Sequence, residues 1–588
     1  MCGIAGVIGR ADAREQVARM TAMLAHRGPD GAGIFEASPE IALGHARLAI
    51  LDLSPAGAQP MTSLDGRWTI VFNGELFNYR ELRGELASKL GPAPWRSSSD
   101  TEVLLKACAC WGIEQALQRS IGMFAFALWD ARQREMTLVR DRVGENPLVY
   151  FEDGPMLAFA SELKALRSFH GGCVDQAALE VYLALGYVPA PLAIFRNVRK
   201  LPAGHWLRWK DGRSTVERWW FPERAHPTVS RTPAGRREQA RSLIGDAVGL
   251  RLRADAPLAL ALSGGVDSTV IAAEAARQDA RVDVFTVIAE GDETDLEYAR
   301  LIARRYGLRH EVLRAPATTA AERFRDAAEH FDEPFADSSA LNSLALARAL
   351  SGRYKAILNG DGGDEAFAGY PHYTRIAVKQ AVKAAAAGAG LVDGSGSTGV
   401  YVQSKVVFRR RERTSLLKGR TGLRGRTGGG ELTRLLGADE FLRAAPNRGA
   451  LKHALWTDRH LHLANDLTHK MDMALGAYGM EGRSPFLDHR ILEWAQHLPA
   501  HDLVRGGKKK ILLREAYGEE LPKEIVTRSK HGFGAPVEAW LAGPLWGLVR
   551  ELLPCPLLDP GLQARARGQR LWTLLTFAQW AARWGATC

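Results

Sequence analysis

The chain has 588 residues, of which 46% are apolar and 24% charged, and it carries a formal net charge of +11. That length outgrows a single hydrophobic core and predicts about two to four globular domains, and the composition excludes a disordered or fibrous chain. No run of about 18 apolar residues occurs, which excludes a transmembrane helix, and Arg10, Asp12, Arg14, Glu15 and Arg19 occupy the start, where a signal peptide would be apolar.

Met1 is followed by Cys2, Gly3 and Ile4. A small second residue lets an aminopeptidase remove Met1 and expose Cys2. Its thiol then lies beside its own α-amine, whose ordinary pKa of about 8 lets it act as the base. Alone, a cysteine at this position is more simply an accident of the terminus. The first two hundred residues read as β-rich, with apolar or alternating runs at Trp68–Asn73, Met123–Trp129, Met136–Arg140 and Met156–Ala160 and a helix at Ser99–Trp111. Cys108 and Cys110 fall in that helix as small buried residues. The six cysteines (2, 108, 110, 173, 555 and 588) are too few and scattered for a disulfide framework, so the cytosol is the expected compartment. Pro222, Pro227 and Pro233 mark a linker.

A helix is predicted over Arg236–Arg253, a buried strand at Leu258–Leu262, a helix at Val270–Ala276, a strand at Asp283–Ala289 and a helix at Leu296–Tyr306. This alternation predicts a parallel sheet with helices on both faces. At the end of the first strand stands Ser263-Gly264-Gly265-Val266-Asp267-Ser268, and no lysine follows as in the GxxxxGK[ST] loop. Two glycines and a helix N-terminus gather N–H groups around an anion, and Asp267 offers a carboxylate to Mg²⁺. Gly360-Asp361-Gly362-Gly363-Asp364-Glu365 follows the apolar Ala356–Leu358, again at a strand end. Alone it is a solvated acidic turn; beside the first loop it completes a nucleotide site. From Thr374 on the pattern is mostly helical, and there is no internal repeat. Lys405–Arg426 holds nine basic residues and one acid, Glu412, so a local +8 leaves only +3 for the remaining chain. Gly/Ser-rich stretches at Asp393–Gly399 and Gly428–Gly430 flank it, and it reads as an exposed segment without a helical stripe, with an anionic partner as the alternative.

Taken together these motifs resemble the glutamine-dependent asparagine synthetase family over nearly the whole chain. The stretches that carry the resemblance are Met1–Gly6, His26–Asp30, Gly44–Leu48, Phe72–Glu75, Ser99–Glu102, the Ser263–Ser268 loop, Asp332–Phe335, the Gly360–Glu365 loop and Glu481–Asp488. The resemblance implies an α+β N-terminal-nucleophile sandwich of antiparallel sheets flanked by helices as a glutaminase domain over 1–215. An α/β doubly wound parallel-sheet synthetase domain with a helical C-terminal part follows over 235–588. It implies Cys2 as nucleophile, with Asn73 and the Gly74 N–H as oxyanion hole. It implies Arg47, Leu48, Ala49, Ile50, Leu51, Glu75 and Asp100 around glutamine, with Arg47 on the α-carboxylate and Asp100 on the α-amine. Alone, Arg47 and Asp100 read as surface ion-pair residues. For ATP it implies Leu262, Ser263, Gly264, Gly265, Asp267, Ser268, Val287, Asn359 and Gly360, with Mg²⁺ on Asp267 and Asp364. Asp361 assists formation of the acyl-adenylate, and Lys510 neutralises the α-phosphate. Lys508 and Lys509 leave that last register open.

Two positions depart from the family. Asn342 stands where relatives usually carry proline, after Asp337-Ser338-Ser339, and leaves the acceptor open. Asn146 replaces a common lysine within Arg142–Pro147, where only a surface effect is expected. Between the two domains the resemblance implies an internal, mostly apolar passage for ammonia. The leading reading makes asparagine from aspartate, ATP and glutamine. A second amidates another carboxylate, in specialised-metabolite or surface-polysaccharide biosynthesis. A third, a nucleic-acid-binding adenylating protein, lacks a basic face across the fold and ranks last. The partners expected are small-molecule substrates without nucleic acid or membrane insertion, with a homodimer left open.

Overall fold

The computed structural model describes every residue except 92–93, 290–292, 294, 389–404, 418–448, 528–534 and 587–588. Two six-stranded sheets build the N-terminal half. One has the central strands Gly3–Ile8 and Met156–Ala160, with Ile41–Arg47 beside them; the other centres on Gly122–Asp130 between Trp68–Leu76 and Glu135–Arg140. Their strand pairings are antiparallel. Side chains alternate between faces along a strand. Ile4 and Ile8 of the first sheet and Val71 of the second enter one shared cluster with Leu43, Ala127 and Leu138. The same alternation continues to Cys2, just before its strand, and to Asn73, within the strand Trp68–Leu76, so both reach the inter-sheet side. Phe72, of opposite parity, packs on Leu104 and Leu105 of the helix Asp100–Trp111 instead.

The second half is a parallel sheet in the order His310–Ala315, Asp283–Ala289, Leu258–Ala261, Ala356–Leu358, Glu481–Arg483. The loops after Leu258–Ala261 and Ala356–Leu358 leave adjacent strands at their C-terminal ends, where α/β sheets bind ligands. The antiparallel sheets flanked by helices and the parallel sheet that follows are as the sequence implies. Boundaries differ. The helix expected at Val270–Ala276 begins at Val266, which puts Asp267 and Ser268 in its first turn. Pro233 opens the helix Pro233–Arg251, with Thr232 as its N-cap, and is not part of a linker.

The basic segment is corrected in its described part. Arg410–Leu416 is a helix, and Phe408, Leu416 and Leu417 are buried in the core against Leu179 and Trp572. Of its described cations, Arg409, Arg410 and Arg411 form the exposed run. Residues 418–426 and the flanks 393–399 and 428–430 lie outside the described residues. The C-terminal helix Gly568–Trp584 returns to the N-terminal half, where Tyr182 Oη donates to the Thr573 carbonyl at 2.8 Å. Trp572, Trp580 and Trp584 share a cluster there with Val7 and Phe195.

Candidate active sites and the cavity between them

In the N-terminal half the Leu48 N–H donates to Cys2 Sγ at 3.3 Å, and Arg27 Nε holds the Cys2 carbonyl at 2.9 Å. Burial pushes the Cys2 thiol up to about 11, against the opposing pull of the nearby N-terminal ammonium. That ammonium, on Met1, is itself buried and donates to the Met480 carbonyl at 2.9 Å; desolvation lowers it to about 6. His45 is no substitute base, since burial lowers it to about 3.

Asn73 is fully buried, and neither its Nδ2 nor its Oδ1 has a hydrogen-bond partner. An unpartnered amide at the nucleophile's end of the sandwich is what an oxyanion donor requires before substrate arrives. Gly74 has φ +146°, and a Cβ there would lie 2.1 Å from the Met123 carbonyl oxygen. Only glycine fits that position.

Among the described residues Arg47 makes no ion pair; its guanidinium holds the loop carbonyls of Ser54, at 2.8 Å, and Asp52. Asp100 accepts from the Leu76 N–H at 2.8 Å, and burial raises its carboxyl to about 7. Neither is a surface ion-pair residue. The other expected glutamine contacts separate. Ala49 N–H donates to Asp30 at 2.8 Å, the Ile50 carbonyl accepts from Asp255 N–H at 3.0 Å, and Leu51 packs in the core with Met61. Glu75 pairs with Arg483 of the parallel sheet at 3.0 Å, and burial raises its carboxyl well above the ordinary value.

In the C-terminal half one open cleft of about 1420 Å³ is lined by all nine residues expected for ATP: Leu262, Ser263, Gly264, Gly265, Asp267, Ser268, Val287, Asn359 and Gly360. Asp361, Asp364 and Lys510 line it too. Gly264 takes φ +67°, and Ser263 and Ser268 bond through their hydroxyls at 3.1 Å, closing the loop on the helix start. Lys510 Nζ bridges Asp267 and Asp364, the latter at 2.5 Å. Of the three lysines, Lys508 is exposed, Lys509 is half-buried at the cleft and Lys510 is buried. Lys510 caps the helix Ile511–Ala516 in the left-handed region (φ +54°), a conformation disfavoured for a side-chain-bearing residue that turns it inward. Gly369 leaves the room this needs, since a Cβ there would stand 1.7 Å from Asp364 Oδ1 and 2.2 Å from Lys510 Cε.

Two carboxylates held by one cation fit a divalent ion that takes most of its ligands from phosphates and water, and Asp267 Oδ1 is buried without a hydrogen bond. Among the described residues no group of three or more His, Cys, Asp or Glu side chains is placed to hold a metal.

The sequence reading missed Lys470, Ser343, Met471 and Arg514 in this cleft. Lys470 is buried, and Asp337 Oδ2 at 3.0 Å and Ser339 Oγ at 2.9 Å accept from its Nζ. Burial pulls its ammonium down, but the Asp337 carboxylate outweighs this and holds it above the ordinary value. Asn342 is buried in the first turn of the helix Ala340–Leu350 without lining the cleft; Ser343 and Leu346 of that helix do.

A second, smaller cavity lies between the halves. Met1, Met123, Met471 and Leu487 line it together with Glu145, Asn146, Asn359, Asp361, Thr468, Asp472 and Ser484. Asn359, Asp361 and Met471 thus line both spaces. Polar side chains are numerous in the lining, but most of the surface it presents is apolar. Burial pushes the Glu145 carboxyl well above its ordinary value, with Asp141 adding to the shift. Asn146 is a further correction: it is 0% exposed, and its Nδ2 donates to the Asn73 carbonyl at 3.0 Å. Nothing in a single sequence ties position 146 to position 73.

Two family models match the chain. One, described as a glutamine amidotransferase domain, covers residues 1–220, and one described as asparagine synthase covers 239–582. A Mycobacterium tuberculosis protein named provisionally as an asparagine synthetase (glutamine-hydrolyzing) is 30% identical, over 99% of this chain and 95% of its own. Asparagine synthetase (glutamine-hydrolyzing) 1 of Bacillus subtilis is 27% identical over 99% of this chain and 96% of its own. Amidase chyE of Penicillium rubens is 28% identical over 94% and 91%. No described helix is long and apolar enough to cross a membrane. With an asparagine synthase model over more than half its length and an amidotransferase model before it, the chain belongs to the asparagine synthase family of ATP-dependent, glutamine-hydrolysing ligases.

Proposed function

We propose that this enzyme makes asparagine. Cys2, freed of Met1, attacks the glutamine side-chain amide, and its α-amine takes the thiol proton and returns it to the leaving ammonia. The developing oxyanion lies between Asn73 Nδ2 and the Gly74 N–H. Water then releases glutamate. In the cleft the aspartate β-carboxylate attacks the α-phosphorus of ATP, expelling pyrophosphate and leaving β-aspartyl-AMP. Lys510 meets the charge on the α-phosphate, while Asp267 and Asp364 would hold Mg²⁺, which would supply charge to neutralise the departing pyrophosphate. Asp361 assists formation of this adenylate; ammonia then displaces AMP, and the excess proton leaves with the AMP phosphate. The observation that carries this reading is the shared wall: Asn359 and Asp361 face both the nucleotide cleft and the cavity that reaches Met1. Ammonia crossing there arrives beside the adenylate without meeting bulk water, where it would protonate.

The aspartate acceptor rests on relatives named asparagine synthetase along nearly the full length. An equally similar relative named an amidase favours a second reading, the same chemistry on another carboxylate. Pyrophosphate release against a panel of carboxylic acids, with glutamine present, decides between them. Release with aspartate supports the first reading, and release only with another acid supports the second. We also propose that the enzyme works in the cytosol on small molecules, a reading supported by its few, scattered cysteines.

A further inference from the structure

We propose that Asn146 is a positioning residue of the glutaminase centre, which sets the oxyanion hole by gripping the Asn73 carbonyl; this rests on the role given above to Cys2. The Asn73 C=O and the Gly74 N–H belong to one peptide unit. That unit is planar and trans, so its oxygen and its hydrogen point in opposite directions. A donor that fixes the oxygen therefore fixes the N–H, which is one of the two oxyanion donors. Asn146 Nδ2 is that donor, at 3.0 Å.

The unit lies in the strand Trp68–Leu76 opposite Ala125 and Phe124, and Asn146 adds a side-chain hold to it. Gly74, at φ +146°, has no side chain to resist a peptide flip that would turn its N–H away. A hydrogen bond at the carbonyl also polarises the amide and strengthens the N–H as a donor.

Asn146 is itself held from several sides. Its N–H donates to Asp141 Oδ2 at 3.1 Å, and its carbonyl accepts from Arg140 Nε at 2.8 Å. Asp141 Oδ1 also accepts from the N–H groups of Val143, Gly144 and Glu145, at 2.7–3.1 Å. Arg140 binds the Gly144 and Leu201 carbonyls, each at 2.9 Å. From the other half of the molecule Thr468 Oγ1 donates to the Gly144 carbonyl at 3.0 Å. The loop is thus a rigid bracket that presents one amide to one carbonyl.

Asn146→Leu, of similar size, and Asn146→Ala remove the donor. Misplacing an oxyanion donor without deleting it is expected to lower kcat for glutamine hydrolysis about 10–100-fold. KM for glutamine should move little, since Arg47 and Asp100 are untouched. The probe is the γ-aldehyde of glutamate. The Cys2 sulfur adds to its carbonyl carbon, and the thiol proton passes to the new alkoxide oxygen, which sits where the oxyanion would. Its affinity should fall by the same factor as kcat/KM, while glutamate, which forms no such bond, binds as before. Ammonia-dependent pyrophosphate release should equal wild type. Unchanged kcat, parallel loss of aldehyde and glutamate binding, or parallel loss of ammonia-dependent turnover would each overturn the role. A wild-type enzyme that does not hydrolyse glutamine overturns the function assigned to Cys2, and the role of Asn146 with it.

Discussion

Lys510 offers the most direct test of the nucleotide cleft. Its ammonium is held by Asp267 and Asp364, and its side chain is 7% exposed. Lys510→Met leaves two carboxylates facing each other without a cation. Removing one partner from a buried charge set costs about 3–5 kcal/mol. The carboxylates keep 17% and 11% of their side-chain exposure, so solvent screens part of this and about 2–3 kcal/mol is the expected loss. In thermal melts without magnesium the variant should therefore unfold several degrees below wild type. Mg²⁺ should raise the variant more than the wild type, because a divalent ion replaces the charge the lysine supplied. ATP–pyrophosphate exchange with the acceptor present should fall about 10²–10³-fold, the cost of losing one preorganised electrostatic contact to the transition state. Glutamine hydrolysis should continue. A variant that melts with wild type in magnesium-free buffer, or that keeps its exchange rate, refutes the placement of Lys510 between these carboxylates.

Cys2→Ala should abolish glutamine-dependent turnover and leave ammonia-dependent amidation intact, read as pyrophosphate release with each nitrogen source; equal loss of both would contradict two separate centres. The Asp100 carboxyl is raised by burial to about 7, and in the role the family resemblance implies, on the glutamine α-ammonium, it has to ionise first. KM for glutamine should accordingly rise as pH falls from 8 to 6, by at most about tenfold per pH unit, and Asp100→Asn should flatten that slope. In the unliganded protein the sign runs the other way. A carboxyl whose folded pKa exceeds its unfolded one costs increasing stability as pH climbs from about 4 to about 7. Gly369→Ala should displace Asp364 and Lys510 together and stop pyrophosphate exchange while glutamine hydrolysis persists.

Local chemistry was legible in the sequence, and long-range placement was not. The Ser263–Ser268 and Gly360–Glu365 loops announce themselves because glycines and carboxylates make poor helix and strand but a good phosphate cradle, and both end adjacent parallel strands. Which of three lysines turns inward depends on a left-handed backbone at Lys510 that no residue type signals. The fifth strand, Glu481–Arg483, is three residues long, too short for a period of two to register. Phe408, Leu416 and Leu417 were hidden among cations because a helix of seven residues shows no stripe. Asn146 looked superficial since its partner lies 73 positions away.

Both apolar packing and ion pairs cross between the halves. Arg27 reaches Asp472 at 2.8 Å, Glu75 reaches Arg483 at 3.0 Å, and Asp30 reaches Lys355 at 2.8 Å. The first two are buried, and such pairs largely offset their own desolvation, adding little net stability. The apolar packing of Trp572, Trp580 and Trp584 with Val7 and Phe195 also holds the halves together, but such contacts are non-directional and tolerate sliding. A bidentate guanidinium–carboxylate pair does not. Arg27 makes the difference concrete: one guanidinium takes the Cys2 carbonyl and both Asp472 oxygens, fixing the nucleophile's backbone to the helix Thr468–Gly476. That helix also carries Lys470 and Met471 at the nucleotide cleft and Thr468 against the loop that holds Asn146. One rigid element therefore touches both chemistries, and the charges crossing the interface keep the two centres in register.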